Sequence, residues 1–407
     1  MKRIVVNGGV PLCGEITVSG SKNAALPIIF ACILTNGVSE IDNIPDIGDV
    51  RVALDLIRSF GAKIEKRGSL TYIDTRNLTY TPPDELLVAR IRASTYLIGS
   101  CLSRFGRCQL MPFGGCNFST RPIDMHIAAC KALGATSDGD ILICERLRGA
   151  QINFDKPSVG ATVNAILLSA SAEGESIIRG CAVEPHIDAL IDFLNSCGAS
   201  IVRRGRELHI VGRELHGGKI RVIGDMIEAG SYLAIGIMSD GEIITRNSPI
   251  SDMSAVIDSL ARLGAELECN KESIRASLYN GNYLSVTASP HPGFSTDLQP
   301  IFAPLMANTM GGDIIDTVWQ SRFGYLDALS EFGVKSKVSG NHAEIYKSDL
   351  HRGIAVCPDL RGGMACLMCA LSVKGQSEIC SAEVILRGYE NLVEKLSSLG
   401  AEIKIDY

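Results

Sequence analysis

A chain of 407 residues exceeds what one ordinary hydrophobic core sustains, so two or three domains are expected. Hydrophobic residues make up 46% and charged residues 21%, the balance of a soluble globular protein with apolar surface for two cores. The net charge of −6, with no basic run beyond Arg203, Arg204 and Arg206, argues against a nucleic-acid partner.

In chain order, the same paragraph recurs six times. Apolar stretches at 21–35, 92–104, 158–172, 225–239, 296–309 and 359–373 are each followed within a few residues by Gly37, Gly106, Gly174, Gly241, Gly312 or Gly375. A short strand, a polar loop and an amphipathic stretch come next. Each copy then stops at a Gly: Gly61, Gly134, Gly198, Gly264, Gly333 and Gly400, spaced 64 to 73 residues apart. Regular spacing of this kind means one supersecondary unit used six times, most naturally as two groups of three. The apolar stretches are expected to form buried helices of about four turns, capped by the following Gly. Their starts are polar: Lys22 and Asn23, Arg92, Ser158, Asp225, Asp297 and Asp359. Ser and Asp there can be plain N-caps. Lys and Arg at a helix N-terminus are unfavourable unless an anion joins them, so several of these starts are expected to face one anionic ligand.

The longest uncharged apolar run, 23–35, is too short to cross a bilayer, and Met1 to Gly8 holds no signal-peptide core. A cytoplasmic location without membrane contact is expected. Most of the 14 cysteines lie in apolar helical stretches, where free Cys acts as a small hydrophobe. Cys366 and Cys369 form a CxxC with no second pair nearby, and the seven His lack metal-ligand spacing. Neither a metal nor another cofactor is expected. One loop departs from the repeat: 111–122 and its continuation to His126, with Gly114, Gly115 and Cys116. A cation such as Arg121 or Lys22 beside Cys116 would lower its pKa and make it an acid or nucleophile near neutral pH.

Eight motifs then occur in one order: Gly20 to Ile28, Arg92-Ala93-Ser94, Gly114-Gly115-Cys116 with Arg121-Pro122, Pro157 to Thr162, Thr296 to Gln299, Arg322-Phe323, Asp359-Leu360-Arg361 and Arg387 to Glu390. Together they resemble the enolpyruvyl transferase family, over essentially the whole chain, and its UDP-N-acetylglucosamine branch more than its shikimate-3-phosphate branch. The resemblance implies a two-domain inverted α/β barrel, with helices inside and strands outside, three repeats to a domain. The first domain would comprise 1–21 and 227–407 and the second 22–226, with the active site in the cleft between them.

The activity implied is transfer of an enolpyruvyl group from phosphoenolpyruvate to the 3′-hydroxyl of UDP-N-acetylglucosamine, releasing phosphate, without a cofactor. By the same resemblance Lys22, Arg121, Arg387 and Arg361 meet the phosphate and carboxylate, Cys116 protonates C3, and Asp297 takes the sugar proton. Asn23 matches a sugar contact, Arg92 and Arg322 match cleft arginines, and Asp359 begins a cleft helix. Pro122, Asp124 and Met125 with Ser158, Val159 and Gly160 match positions that hold uracil and diphosphate, and Val318 an amide-holding backbone position. Gly48, Ser119, Met226, Ser321 and Leu386 depart from the family pattern. Two further readings follow: transfer to a different uridine nucleotide, or a nucleotide-sugar binder without turnover.

Overall fold

The computed structural model describes residues 2–114, 122–278 and 280–406. Each apolar stretch contains a helix with most residues buried: Lys22–Ala31, Leu97–Phe105, Val159–Ala170, Met226–Met238, Gln299–Asn308 and Leu360–Ser372. Ala, Ile, Leu and small residues occupy nearly every side of these helices, which leaves no broad polar stripe to meet water. Amphipathic helices alternate with them, such as Gly48–Ser59, Pro185–Ser196 and Ser254–Leu263. The six glycine stops all adopt left-handed backbone, with φ from 87° to 103°. A side chain there would be strained, and Gly ends each amphipathic helix at low cost.

Six sheets follow from six repeats, five with four strands and one with three among the described residues. The third repeat displays the pattern: strand Gln151–Asn153, a buried helix, strand Glu175–Arg179 parallel to the first, an amphipathic helix, then the antiparallel hairpin Ser200–Arg204 and Glu207–Val211. A parallel pair needs a crossover, which the buried helix provides. Strand side chains alternate, so Ser176 and Ile178 are buried while Glu175 and Arg179 are exposed. Helices therefore fill the inside and sheets cover the outside.

The chain divides into two compact units, Met1–Ser19 with Gly224–Tyr407, and Gly20–Ile223. Each has three sheets and its own core. Just before each passage of the chain from one to the other, a strand pairs with a distant repeat of its own unit. Cys13–Thr17 pairs in parallel with Glu242–Arg246 of the fourth repeat, and Lys219–Arg221 pairs in parallel with Val38–Asp42 of the first. The strand Arg3–Gly8 lies between Gly375–Cys380 and Glu402–Asp406, completing the sixth repeat from the opposite end of the chain.

Two local expectations are corrected. Gly106 does cap its helix, but the other buried helices end earlier, at Ser171, Ser239, Thr309 and Val373, and the first passes into a 3-10 turn, Cys32–Leu34. At Gly241 and Gly312 the requirement is close approach instead: a Cβ would stand 2.1 Å from the carbonyl oxygens of Leu12 and Leu284 on the neighbouring strands. Ser158, Asp225 and Asp359 are N-caps, their side chains accepting from first-turn N–H groups. Asp297 is not; its helix starts at Gln299 and its carboxylate is held elsewhere.

Candidate active site

In the first unit, three predicted residues converge. Arg322 Nη1 donates to Asp297 Oδ1 at 2.8 Å and to the Thr296 carbonyl at 3.0 Å. Arg361 Nε and Nη2 donate to Asp297 Oδ2 at 3.3 and 3.2 Å. The arginine side chains are 5% and 2% exposed, whereas Asp297 is 28% exposed. Two buried guanidiniums thus grip a partly exposed carboxylate and fix its direction. Burial disfavours the Arg361 charge, but Tyr389, Asp297 and Asp225 more than offset this, and its pKa lies above the ordinary arginine value.

Behind this cluster, the fully buried Asp316 organises the support. Its Oδ1 accepts from the backbone N–H groups of Val318 and Trp319, both at 2.8 Å, and its Oδ2 from Thr296 Oγ1 at 2.6 Å. Gln299 links the Arg322 carbonyl, at 2.8 Å, to Tyr325, whose hydroxyl donates at 2.5 Å. Asp359 caps the helix that carries Arg361. Arg387 ends the 3-10 turn Ala382–Arg387, and the adjacent Gly388 packs closely on Leu360 at that helix start.

In the second unit, Lys22 opens its helix beside Asn23 and meets Asp49 of the next helix, Nζ to Oδ2 at 3.3 Å, with side chains 13% and 8% exposed. Asp49 follows Gly48 in the first turn, where an acid suits the helix dipole.

Arg92 begins the 3-10 turn Arg92–Tyr96, and burial lowers its pKa from the usual arginine value. Burial, and then the Arg92 charge, lower His126 to about 4 against a weaker pull from Asp124. The ring is therefore neutral near pH 7. Its Nδ1 lies 2.8 Å from Asn164 Nδ2, so it accepts, and the proton resides on Nε2. Asn164 also accepts from Gly99 N–H at 2.6 Å, and its two amide hydrogens are shared among His126 and the carbonyls of Thr95 and Gly160. A Cβ on Gly160 would fall 2.8 Å from His126 Cε1, so the ring claims that space. Ser158 caps this same helix through Ala161 N–H, and Val159 and Gly160 supply its first backbone donors. Beside it, Asp124 and Met125 line an open groove of about 710 Å³ with Lys156 and Phe154. Pro122 is exposed just before.

The structure thus gathers Asp297, Arg322 and Arg361 in one cluster and sets Asp359 and Val318 beside it. In the other unit Lys22 and Asn23 lie together, as do Arg92, Ser158, Val159, Gly160, Asp124 and Met125. Cys116 and Arg121 fall outside the described residues. Sequence reasoning missed Asp49, His126, Asn164, Asp316 and Tyr389. Asn164 carried a signal, a lone amide amid the apolar run Ala161 to Leu168. Among the described residues no group of three or more His, Cys, Asp or Glu could hold a metal ion, and no helix is long and apolar enough to cross a membrane.

This fold and these charged clusters have relatives of known name. The family model described as EPSP synthase (3-phosphoshikimate 1-carboxyvinyltransferase) matches residues 6–396. The chain is 38% identical over 412 residues to UDP-N-acetylglucosamine 1-carboxyvinyltransferase 3 of Caldanaerobacter subterraneus, covering 99% of each chain. It is 36% identical to UDP-N-acetylglucosamine 1-carboxyvinyltransferase 2 of Streptococcus mutans, over 100% of this chain and 99% of that protein. Among solved structures, the enolpyruvyl transferase NikO from Streptomyces tendae superposes with a TM-score of 0.91 at 25% identity, over 100% of this chain and 99% of that one. EPSP synthase from Acinetobacter baumannii shares the fold, with a TM-score of 0.75 at 18% identity over both whole chains. The chain belongs to the EPSP synthase family of enolpyruvyl transferases.

Proposed function

We propose that the protein transfers the enolpyruvyl group of phosphoenolpyruvate to the 3′-hydroxyl of UDP-N-acetylglucosamine, releasing phosphate, as the first committed step of cytoplasmic peptidoglycan precursor synthesis. The observation that carries this reading is Asp297, a partly exposed carboxylate held on both oxygens by buried arginines. Such a group accepts a proton from a neutral hydroxyl placed against it. The names of the relatives support the acceptor.

In the addition step, the sugar oxygen bonds to C2 of phosphoenolpyruvate, its proton passes to Asp297, and C3 gains a proton from Cys116. In the elimination step, C3 returns a proton to the Cys116 thiolate, the C2–O bond to phosphate breaks, the departing phosphate takes up the proton held by Asp297, and the enol ether forms. Lys22, Arg121, Arg361 and Arg387 would meet the phosphate and carboxylate of this substrate. Arg92 and Arg322 would add positive charge around the reactants. Asn23 would contact the sugar. Since the Val318 N–H is committed to Asp316, a sugar amide would meet that residue through its C=O. Pro122, Asp124 and Met125, lining or flanking the groove, would hold uracil, while first-turn N–H groups at Ser158, Val159 and Gly160 would face the diphosphate. Lys156, on the groove wall, adds a cation suited to the same anion.

The test is incubation of the protein with phosphoenolpyruvate and a panel of UDP-sugars and UMP, following phosphate release and product mass. Release with UDP-N-acetylglucosamine and a product heavier by one enolpyruvyl group is expected. Release with another uridine nucleotide alone would reassign the acceptor, and binding without release would leave a nucleotide-sugar binder.

A further inference from the structure

The buried polar cluster of the first unit continues past Asp297 to Tyr389. The Arg361 guanidinium carbon stands 5.4 Å from the centre of the Tyr389 ring, and both residues are 2% exposed. While Nε and Nη2 of Arg361 reach Asp297, Nη1 is buried without a hydrogen-bond partner among the described residues. The Tyr389 side chain, with its ring face and hydroxyl close to the guanidinium, and the Asp225 charge stabilise the cation beyond Asp297. The ring is itself fixed. Ser231 Oγ donates to the Ile227 carbonyl at 2.7 Å, so its one hydrogen is committed, and the Tyr389 hydroxyl donates to Ser231 Oγ at 2.9 Å. Burial raises the Tyr389 pKa, so the ring remains a neutral phenol at working pH.

We propose that Tyr389 is a positioning residue for the transfer reaction: its ring, locked by Ser231, holds the Arg361 guanidinium on Asp297 Oδ2 and so keeps that carboxylate ionised and aimed. The inference rests on the reading of Asp297 as the base. Several charges face this pair. Asp297 meets Arg322 from the turn after Asp316 and Arg361 from the helix Leu360–Ser372; Arg361 meets Asp225 through space, Asp359 caps its helix, and Asp316 binds Thr296 next door. Removing the ring face leaves Arg361 free to swing off Oδ2. Asp297 then loses an opposite charge, and its titration moves to higher pH.

The experiment replaces Tyr389 with Phe and then with mono-, di- and trifluorinated Phe, which keep the volume of the ring while draining its π face. The Asp297 carboxyl carbon is followed by NMR through a pH titration, its signal identified by its loss in Asp297→Asn, and turnover is measured on the same samples. Along the series the Asp297 midpoint should climb stepwise and kcat fall, reaching about tenfold in the trifluoro form, with KM for the nucleotide sugar unchanged. The acid limb of the kcat profile should move upward with the midpoint. A residue that merely fills space would leave both flat across the series, and that result overturns the proposal. The NMR arm needs no turnover. A stepwise midpoint in a protein that releases no phosphate would sink the functional reading alone, and a flat midpoint in an active enzyme would sink the positioning role alone.

Discussion

Asp297→Ala leaves two buried cations without their shared counter-ion, and the size of the loss follows from the contacts that remain. Removing one partner of a buried ion pair costs about 3–5 kcal/mol. Arg322 keeps its bond to the Thr296 carbonyl, Arg361 keeps the Tyr389 ring, and Asp297 is 28% exposed, so the lower end, about 3 kcal/mol, is expected. With a urea slope of about 2–3 kcal/mol/M for a unit of this size, the unfolding midpoint should drop by about 1 M. The lone tryptophan makes the assay specific. Trp319 lies in the first unit with its backbone N–H on Asp316, so its fluorescence follows that unit and not Gly20–Ile223. Asp297→Asn retains an acceptor for only one arginine and turns its NH2 donors toward the other, so it should lose nearly as much. Trp319-reported midpoints within about 0.2 M of the parent for both variants would refute the idea that Asp297 neutralises the two arginines.

Lys22→Ala should raise KM for phosphoenolpyruvate and lower kcat, each by about tenfold or more, because charge-assisted contacts to a multivalent anion are lost; calorimetry should find nucleotide-sugar affinity within about threefold. His126 lies near 4 when folded and near its ordinary 6.5 when unfolded, so between those values the unfolded chain binds a proton that the folded chain refuses. Stability should therefore fall as pH drops through that window, by up to about 3 kcal/mol, and His126→Gln should flatten that part of a urea-midpoint-against-pH profile. An epoxide phosphonate should alkylate Cys116, with the exposed Cys13 and Cys269 as internal controls. Burial raises the pKa of Cys32, Cys130, Cys197 and Cys369, and mass spectrometry should find them unmodified. Cys116→Asp should keep turnover and escape the label.

The repeat was legible because its punctuation is local. A left-handed turn excludes most side chains, so Gly61 and its five counterparts mark the ends of amphipathic helices in sequence as clearly as in space. Buried helices were legible because Ala, Ile and Leu surround them on all sides. What lay hidden was nonlocal. Nothing in Cys13–Thr17, with only Ile16 buried, reveals that its partner is some 230 residues away, since strand pairing is chosen by the completed sheet. The site was half legible. Asp297, Arg322 and Arg361 were named from motif resemblance, but the bond that joins them depends on side chains from three separate segments. Read locally, Asp297 resembled an N-cap, and only the helix starting two residues later separates it from Ser158, Asp225 and Asp359. Asn164 was passed over as one polar residue in an apolar helix, although a buried amide demands partners, and His126 is one of them.

The placement of Arg3–Gly8 has a consequence for the ribosome. This strand leaves the exit tunnel long before either neighbour that will flank it, Gly375–Cys380 or Glu402–Asp406, is made. At about 5–20 residues per second, the strand waits on the order of 20–80 s. Meanwhile residues 20–223 emerge as an uninterrupted set and can close around their own core. During that interval Ile4 and Val6, fully buried at the end, are nascent-chain surface on an unpaired β-edge. Maturation of the first unit is thus set by elongation rate and by whatever shields that edge, and slowed translation of the last repeat should lengthen its exposure while the other unit is already folded.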